Sequence, residues 1–295
     1  MINRILVCLD KSDYTDASID FSCWLATHHD ASLEGMVVID TPGIARSVGG
    51  GGVGTMKYAR TSIAAKEKES HELMESILAK FKERCDASGV RHNECEIQGE
   101  PKDSILDEAN YFDCVVIGMH TYFNYESGAG DDEKYGTKDD VEGDALTEIM
   151  TESLAPVFAV PLGWQPQPAH EIFDALIAFD GSLNAMRSLR QFARLYGKGS
   201  VNVKLLNCNK DAEVSQAMLA KAKKFLGAHG FGDVATESRT EEPLEVLTAE
   251  HNAPFDLIVL GANSRSTLVE FLTFTGSVTK SLIERGDKPL LIANG

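Results

Sequence analysis

The chain has 295 residues, 43% apolar, 25% charged and 7% aromatic, the composition of a soluble globular protein with room for two ordinary domains. Its net charge is -17 and unevenly held, with 30 acids against 14 bases over residues 1–160 and 15 against 14 over 161–295, so there is no basic stripe of the kind a broad nucleic-acid surface needs. No apolar run approaches the ~20 residues of a spanning helix and the N-terminus runs straight into a strand-like segment, so no signal peptide or membrane insertion is expected, and the location reads as cytoplasmic.

The first predicted strand, Arg4 to Leu9, ends on Asp10 and is followed by Lys11-Ser12 and an amphipathic helix over about 13–28. Met36 to Ile39 is a second apolar strand. The run Gly49-Gly50-Gly51-Gly52-Val53-Gly54 comes next. It lacks the GKS or GKT of a Walker loop and does not follow the first strand as a dinucleotide fingerprint would, which leaves a mobile surface loop, an oligomer contact or a ligand lid. A long helix near 57–87, a short strand near 91–97, a helix near 101–110 and the strand Asp113 to Ile117 lead to Gly118. An insertion then separates Gly118 from Gly143. Ten acids and two lysines between 126 and 152 make it an acidic solvated excursion that repels a triphosphate unless a cation intervenes. A helix and the strand Pro156 to Pro161 close this half.

Leu162 to Glu171, with Pro166 and Pro168, reads as a linker between domains at 1–161 and 172–295. The second half repeats the plan of the first. Ala175 to Phe179 ends on Asp180, then Gly181-Ser182 opens a helix over about 184–196. Val201 to Leu206, a helix at 212–227, a strand near 233–238, a helix near 242–251, the strand Asp256 to Leu260 before Gly261, and finally Pro289 to Ala293 follow in the same order. Ten short apolar strands alternating with helices imply an α/β fold of two repeated, open five-stranded parallel sheets with flanking helices, because each parallel crossover needs a helix to cover the sheet.

Six cysteines without a CxxC do not make a disulfide framework and read as buried reduced thiols. His28-His29 near a helix end would favour the local dipole if charged, and adjacent side chains do not suit one metal. His120 approaches the predicted ligand edge. Ser12 and Ser182 lack a GxSxG elbow and a sequence-evident His/Asp partnership, so no hydrolase chemistry is assigned to them.

The best chemical signal lies late in the chain. Gly261-Ala262-Asn263-Ser264, then Arg265, leave a parallel strand, and Gly276-Ser277-Val278-Thr279 opens the next helix. Strand ends of open parallel sheets form the ligand crevice, and helix starts present free N–H groups to phosphate oxygens. This reads as the phosphate end of a nucleotide site or as a helix capped by Ser277.

With the repeat and the Asp-Gly-Ser start, these features resemble the universal stress protein family, its tandem-domain members in particular, over nearly the whole chain outside the linker and insertions. The resemblance implies an adenine nucleotide alpha hydrolase-like fold. It also implies ATP or another adenine nucleotide held by a Gly-x2-Gly-x9-Gly-Ser/Thr pattern, with Mg²⁺ accompanying the phosphates. Here the pattern runs Gly261, Ser264, eleven residues, Gly276-Ser277. Asp180 matches the nucleotide-facing acid, with Gly181 and Ser182 beside it, and Cys208 matches the position whose backbone meets the base. Gly261, Asn263, Ser264 and Arg265 belong to the phosphate loop, and Ser277, Val278 and Thr279 to its far end. In the first half Asp10, Val38 and Gly118 match, but Thr121 replaces the second glycine, 24 residues separate Gly118 from Gly143, and Asp144 stands where the second half has Ser277. A carboxylate there disfavours a triphosphate, so the first half is expected to be degenerate for ATP, to take another ligand or to serve as a partner surface. No catalytic residue is assigned. The expectation is a nucleotide-binding stress-response or signalling module, a homodimer of tandem chains with room for an unidentified protein partner. A nucleotide-independent interaction protein and a slow ATPase are the alternatives.

Overall fold

A computed structural model describes residues 2–48, 56–120, 145–165, 173–197, 201–250, 255–262, 281–283 and 287–293. Runs of Val, Ile and Leu set the inner strands, and two more polar strands form the edges: β1 (Arg4–Leu9), β2 (Ser32–Ile39), β3 (His92–Gln98), β4 (Cys114–Gly118) and β5 (Val157–Val160) in the first half, and β6 (Phe173–Ala178), β7 (Val201–Cys208), β8 (Val234–Arg239), β9 (Leu257–Gly261) and β10 (Leu290–Ala293) in the second, with β3 and β8 the polar pair. Between them run α1 (Tyr14–His29), α2 (Thr41–Val48), α3 (Met56–Ser88), α4 (Pro101–Ala109), α5 (Ala145–Glu152), α6 (Leu183–Tyr196), α7 (Ala212–Ala228) and α8 (Pro243–Glu250). No helix among the described residues is long and apolar enough to cross a membrane.

The sheet order is β3-β2-β1-β4-β5-β10-β9-β6-β7-β8. Within each half every pairing is parallel. At the join β5 and β10 pair antiparallel, Leu291 opposite Phe158. The repeat thus builds one ten-stranded sheet rather than two separate ones, and β5 and β10, each at one edge of its half, satisfy each other's backbone. In each half the chain winds one way from its first strand and then returns to the other side, so the switch points lie between β1 and β4 and between β6 and β9. In open α/β sheets that is where ligand crevices form.

Strand alternation divides the core. Ile5, Val7 and Leu9 face the layer of α1, α3, α6 and α7, while Leu6 and Cys8 face the layer of α4, α5 and α8. Both cores continue across the join. On the first face an aromatic series crosses it: Phe21 packs at 5.4 Å from Phe158 and 5.1 Å from Trp164, Trp24 at 5.5 Å from Phe173, and Phe173 at 5.4 Å from Tyr196. The start of the predicted linker is therefore anchored through Trp164; residues 166–171 lie outside the described residues, as do the glycine run and the insertion carrying Thr121, Gly143 and Asp144.

Two local expectations change. Helix α2 was not foreseen, yet its start is explicable. Asp40 Oδ1 accepts from Gly43 N at 2.7 Å, Ile44 N donates to Asp40 O at 2.9 Å, and Pro42 falls in the first turn where no N–H is needed. His29 does end α1, but burial, with His28 next, lowers its pKa to about 4. It is neutral at pH 7 and adds no positive charge to the helix end.

Candidate functional site

The second-half crevice is assembled from three strand ends. Asp180 leaves β6 half-buried, and its Oδ1 accepts from Ser182 N at 2.9 Å. Gly181 turns the chain with φ +75°, a value that favours glycine. Ser182 then caps α6, its Oγ accepting from Ala185 N at 3.1 Å. Gly261 at the end of β9 lies against this helix start: a Cβ there would sit 2.6 Å from Ala185 N and 2.8 Å from the Asn184 carbonyl carbon. Asn184 Nδ2 donates to Ala262 O and fastens the β9 exit to the same turn. Cys208 ends β7, half-buried and opposite Arg239 of β8. The structure thus brings Asp180, Gly181, Ser182, Cys208 and Gly261 to one rim of the sheet. Asn263, Ser264, Arg265, Gly276, Ser277, Val278 and Thr279 lie outside the described residues.

Two asparagines that sequence reasoning passed over support this rim. Asn184 is one. Asn207 is the other: buried in β7, it donates from Nδ2 to Phe179 O at 2.6 Å and so holds the residue before Asp180. Its Oδ1 is buried with no partner among the described residues. The available signal was an amide inside the otherwise apolar Leu205-Leu206-Asn207-Cys208, since a buried amide is kept only where its hydrogen bonds are needed.

The first-half counterpart is built from the same positions with different chemistry. Asp10 is 3% exposed, and its Oδ1 accepts from Ser12 N at 3.1 Å, Ser12 Oγ at 2.6 Å and Thr15 Oγ1 at 2.9 Å. The same Thr15 hydroxyl lies 2.7 Å from Asp10 O, so its one proton is shared between the two acceptors. Gly118 packs on Tyr14, where an added Cβ would lie 2.5 Å from Tyr14 Cβ, and His120 stands edge-on to the Tyr14 ring at 5.3 Å. Where Asn184 hydrogen-bonds in the second half, an aromatic ring stands in the first. No group of three His, Cys, Asp or Glu among the described residues is arranged to hold a metal ion.

Residues 1–122 match the family model described as "Universal stress protein family". The first half carries a universal stress protein domain. Over its length the chain is similar to the universal stress protein Slr1230 of Synechocystis sp., with 23% identity over 303 residues covering 98% of this chain and 99% of that one. This likeness extends through both halves, as a tandem universal stress protein requires. Among solved structures the chain is similar to a universal stress protein from Archaeoglobus fulgidus, with a TM-score of 0.64 and 16% identity over 99% of this chain and 96% of that one. It is also similar to the cytoplasmic domain of a prokaryotic cation chloride cotransporter, with a TM-score of 0.52 and 12% identity over 100% and 96%. Both share the universal stress protein fold, and at these identities the likeness speaks to the fold alone.

Proposed function

We propose that this tandem universal stress protein, with domains at 1–161 and 172–295, acts in stress response by binding an adenine nucleotide mainly in its second domain. The observation that carries this reading is the contrast between the two acids. Among the described residues Asp10 is buried, with three hydrogen bonds on one oxygen, whereas Asp180 is half-buried at the switch point with one such bond. A carboxylate with spare acceptor capacity suits the hydroxyls of a ribose. Asn207 and the α6 cap hold it in place, and Gly261 lets the end of β9 close on the start of α6 beside it. The phosphates would extend toward 263–279, and any Mg²⁺ would ride on them, since the described part of the rim offers no carboxylate cluster for it. Binding and release, rather than turnover, is the proposed activity; among the described residues of this rim, Ser182 Oγ is engaged in capping α6 rather than paired with a general base.

Nucleotide released from freshly purified protein and quantified by chromatography and mass spectrometry tests the stoichiometry, followed by ATP, ADP and AMP titrations. About one adenine nucleotide per chain is expected, with Asp180→Asn weakening binding about tenfold, the scale of one charge-assisted hydrogen bond. About two per chain would show that the first domain binds as well. No binding by folded protein at millimolar nucleotide would overturn the reading in favour of a nucleotide-independent interaction protein. That second reading is favoured in the first domain by the Tyr14 ring against Gly118, and a homodimer or protein partner would then meet the chain there or along the outer strands β3 and β8.

A further inference from the structure

Helices α1 and α3 run side by side along a seam that is polar at one end and holds two sulfurs at the other. Lys80 Nζ meets Asp16 Oδ1 at 2.7 Å, Arg84 reaches Asp16 Oδ2 at 3.4 Å and also pairs with Asp20, and one turn further Cys23 Sγ lies 3.8 Å from Cys85 Sγ. Numbers rise together on both sides, so the helices are parallel and the ion pairs set the register that brings the sulfurs into contact. We propose that Cys23 and Cys85 are a peroxide-oxidisable dithiol whose disulfide staples α1 to α3.

Of the six cysteines this pair alone meets. Cys8 and Cys114 project to opposite faces of the sheet, Cys95 lies on the outer strand β3, and Cys208 is in the other half. The sulfurs stand 3.8 Å apart and a disulfide needs them about 2.05 Å apart, so closing the bond requires the two side chains to move together by roughly 2 Å. The two thiols are also unequal. The hydrogen bond the two sulfurs share, with Ser88 and Arg84 assisting, draws the Cys23 thiol down against the effect of burial, while Cys85 is pushed up. Cys23 retains 5% exposure and Cys85 none. Cys23 is therefore the attacking sulfur and Cys85 the resolving one.

The chemistry balances with hydrogen peroxide as oxidant. The Cys23 thiolate attacks one peroxide oxygen, the O–O bond breaks, hydroxide leaves and Cys23 becomes a sulfenic acid. Cys85 sulfur then attacks Cys23 sulfur. The S–S bond forms, the S–O bond breaks, and with the thiol protons two thiols and one peroxide give one disulfide and two waters, two electrons having passed from sulfur to oxygen.

The test treats the purified full chain with a few equivalents of hydrogen peroxide under native conditions, quenches by alkylation, and maps peptides by mass spectrometry. The expected result is loss of two hydrogens in the intact chain and a Cys23–Cys85 cross-linked peptide that disappears on reduction; Cys23→Ser and Cys85→Ser each abolish it. Native hydrogen exchange on the oxidised chain should also slow at the end of α3. The proposal is overturned if Cys23 advances to sulfinic acid while Cys85 stays alkylatable, if cross-links to Cys95 or Cys208 dominate, or if the bond forms only in denaturant. The mapping of the unsubstituted chain decides the matter even where a serine variant fails to fold.

Discussion

Gly261 and His29 show how single residues carry consequences beyond their own neighbourhoods. The closest atoms to a Cβ at Gly261 belong to the backbone of α6, not to a flexible side-chain tip. Gly261→Ala must therefore push the helix start away from β9. The expected cost is about 1–3 kcal/mol in denaturant unfolding, together with weaker nucleotide retention, because the same turn carries Ser182. His29 acts through its protonation. Its folded-state pKa is lowered to about 4 from 6.5, so the unfolded chain binds the proton more readily, and stability falls as pH drops from about 6.5 toward 4. Allowing for its partial exposure, the contribution is about 2 kcal/mol. The stability of the unmodified chain relative to His29→Phe should fall across that window if this is right, and stay constant through it if it is not.

At the scale of elements, much of the architecture was legible because strands and helices have different hydrophobic periods. The paired strands before Gly118 and Gly261, the Asp10 and Asp180 turns and the long α3 all fall where their patterns put them, with ends shifted by a residue or two. What could not be read has physical reasons. Helix α2 is short and contains Pro42 and Gly43, residues that more often mark a loop. Val157–Val160 and Leu290–Ala293 are buried throughout, and a uniformly apolar strand looks the same whether its neighbour runs parallel or antiparallel, so the join had no signature. The rim was legible at Asp180, Ser182 and Gly261, whose residue types reveal their geometry. Asn184 and Asn207 were not, because an amide's role depends on which carbonyl it meets in space. Cys23 and Cys85 are 62 residues apart, and only the packing of α1 on α3 brings them together.

The whole molecule is held as one body by the features that cross β5 and β10. Phe158 is fully buried, stands opposite Leu291 and packs on Phe21, so it serves both halves at once. Phe158→Ala should destabilise the chain by about 3–5 kcal/mol, and the fluorescence of Trp24 and Trp164 should still be lost in the same transition as far-UV ellipticity. Two separated transitions would show that the halves unfold independently.

The antiparallel join also decides where the two crevices look. Strand ends that carry Asp10 and Gly118 lie along one long rim of the sheet, and those that carry Asp180, Cys208 and Gly261 lie along the opposite rim. The chain is therefore two-headed. A ligand on one rim cannot touch a ligand on the other, and a partner that reads the first half approaches from the far side of the molecule. One end of the protein is thus free to diverge in charge and sequence while the other keeps its chemistry.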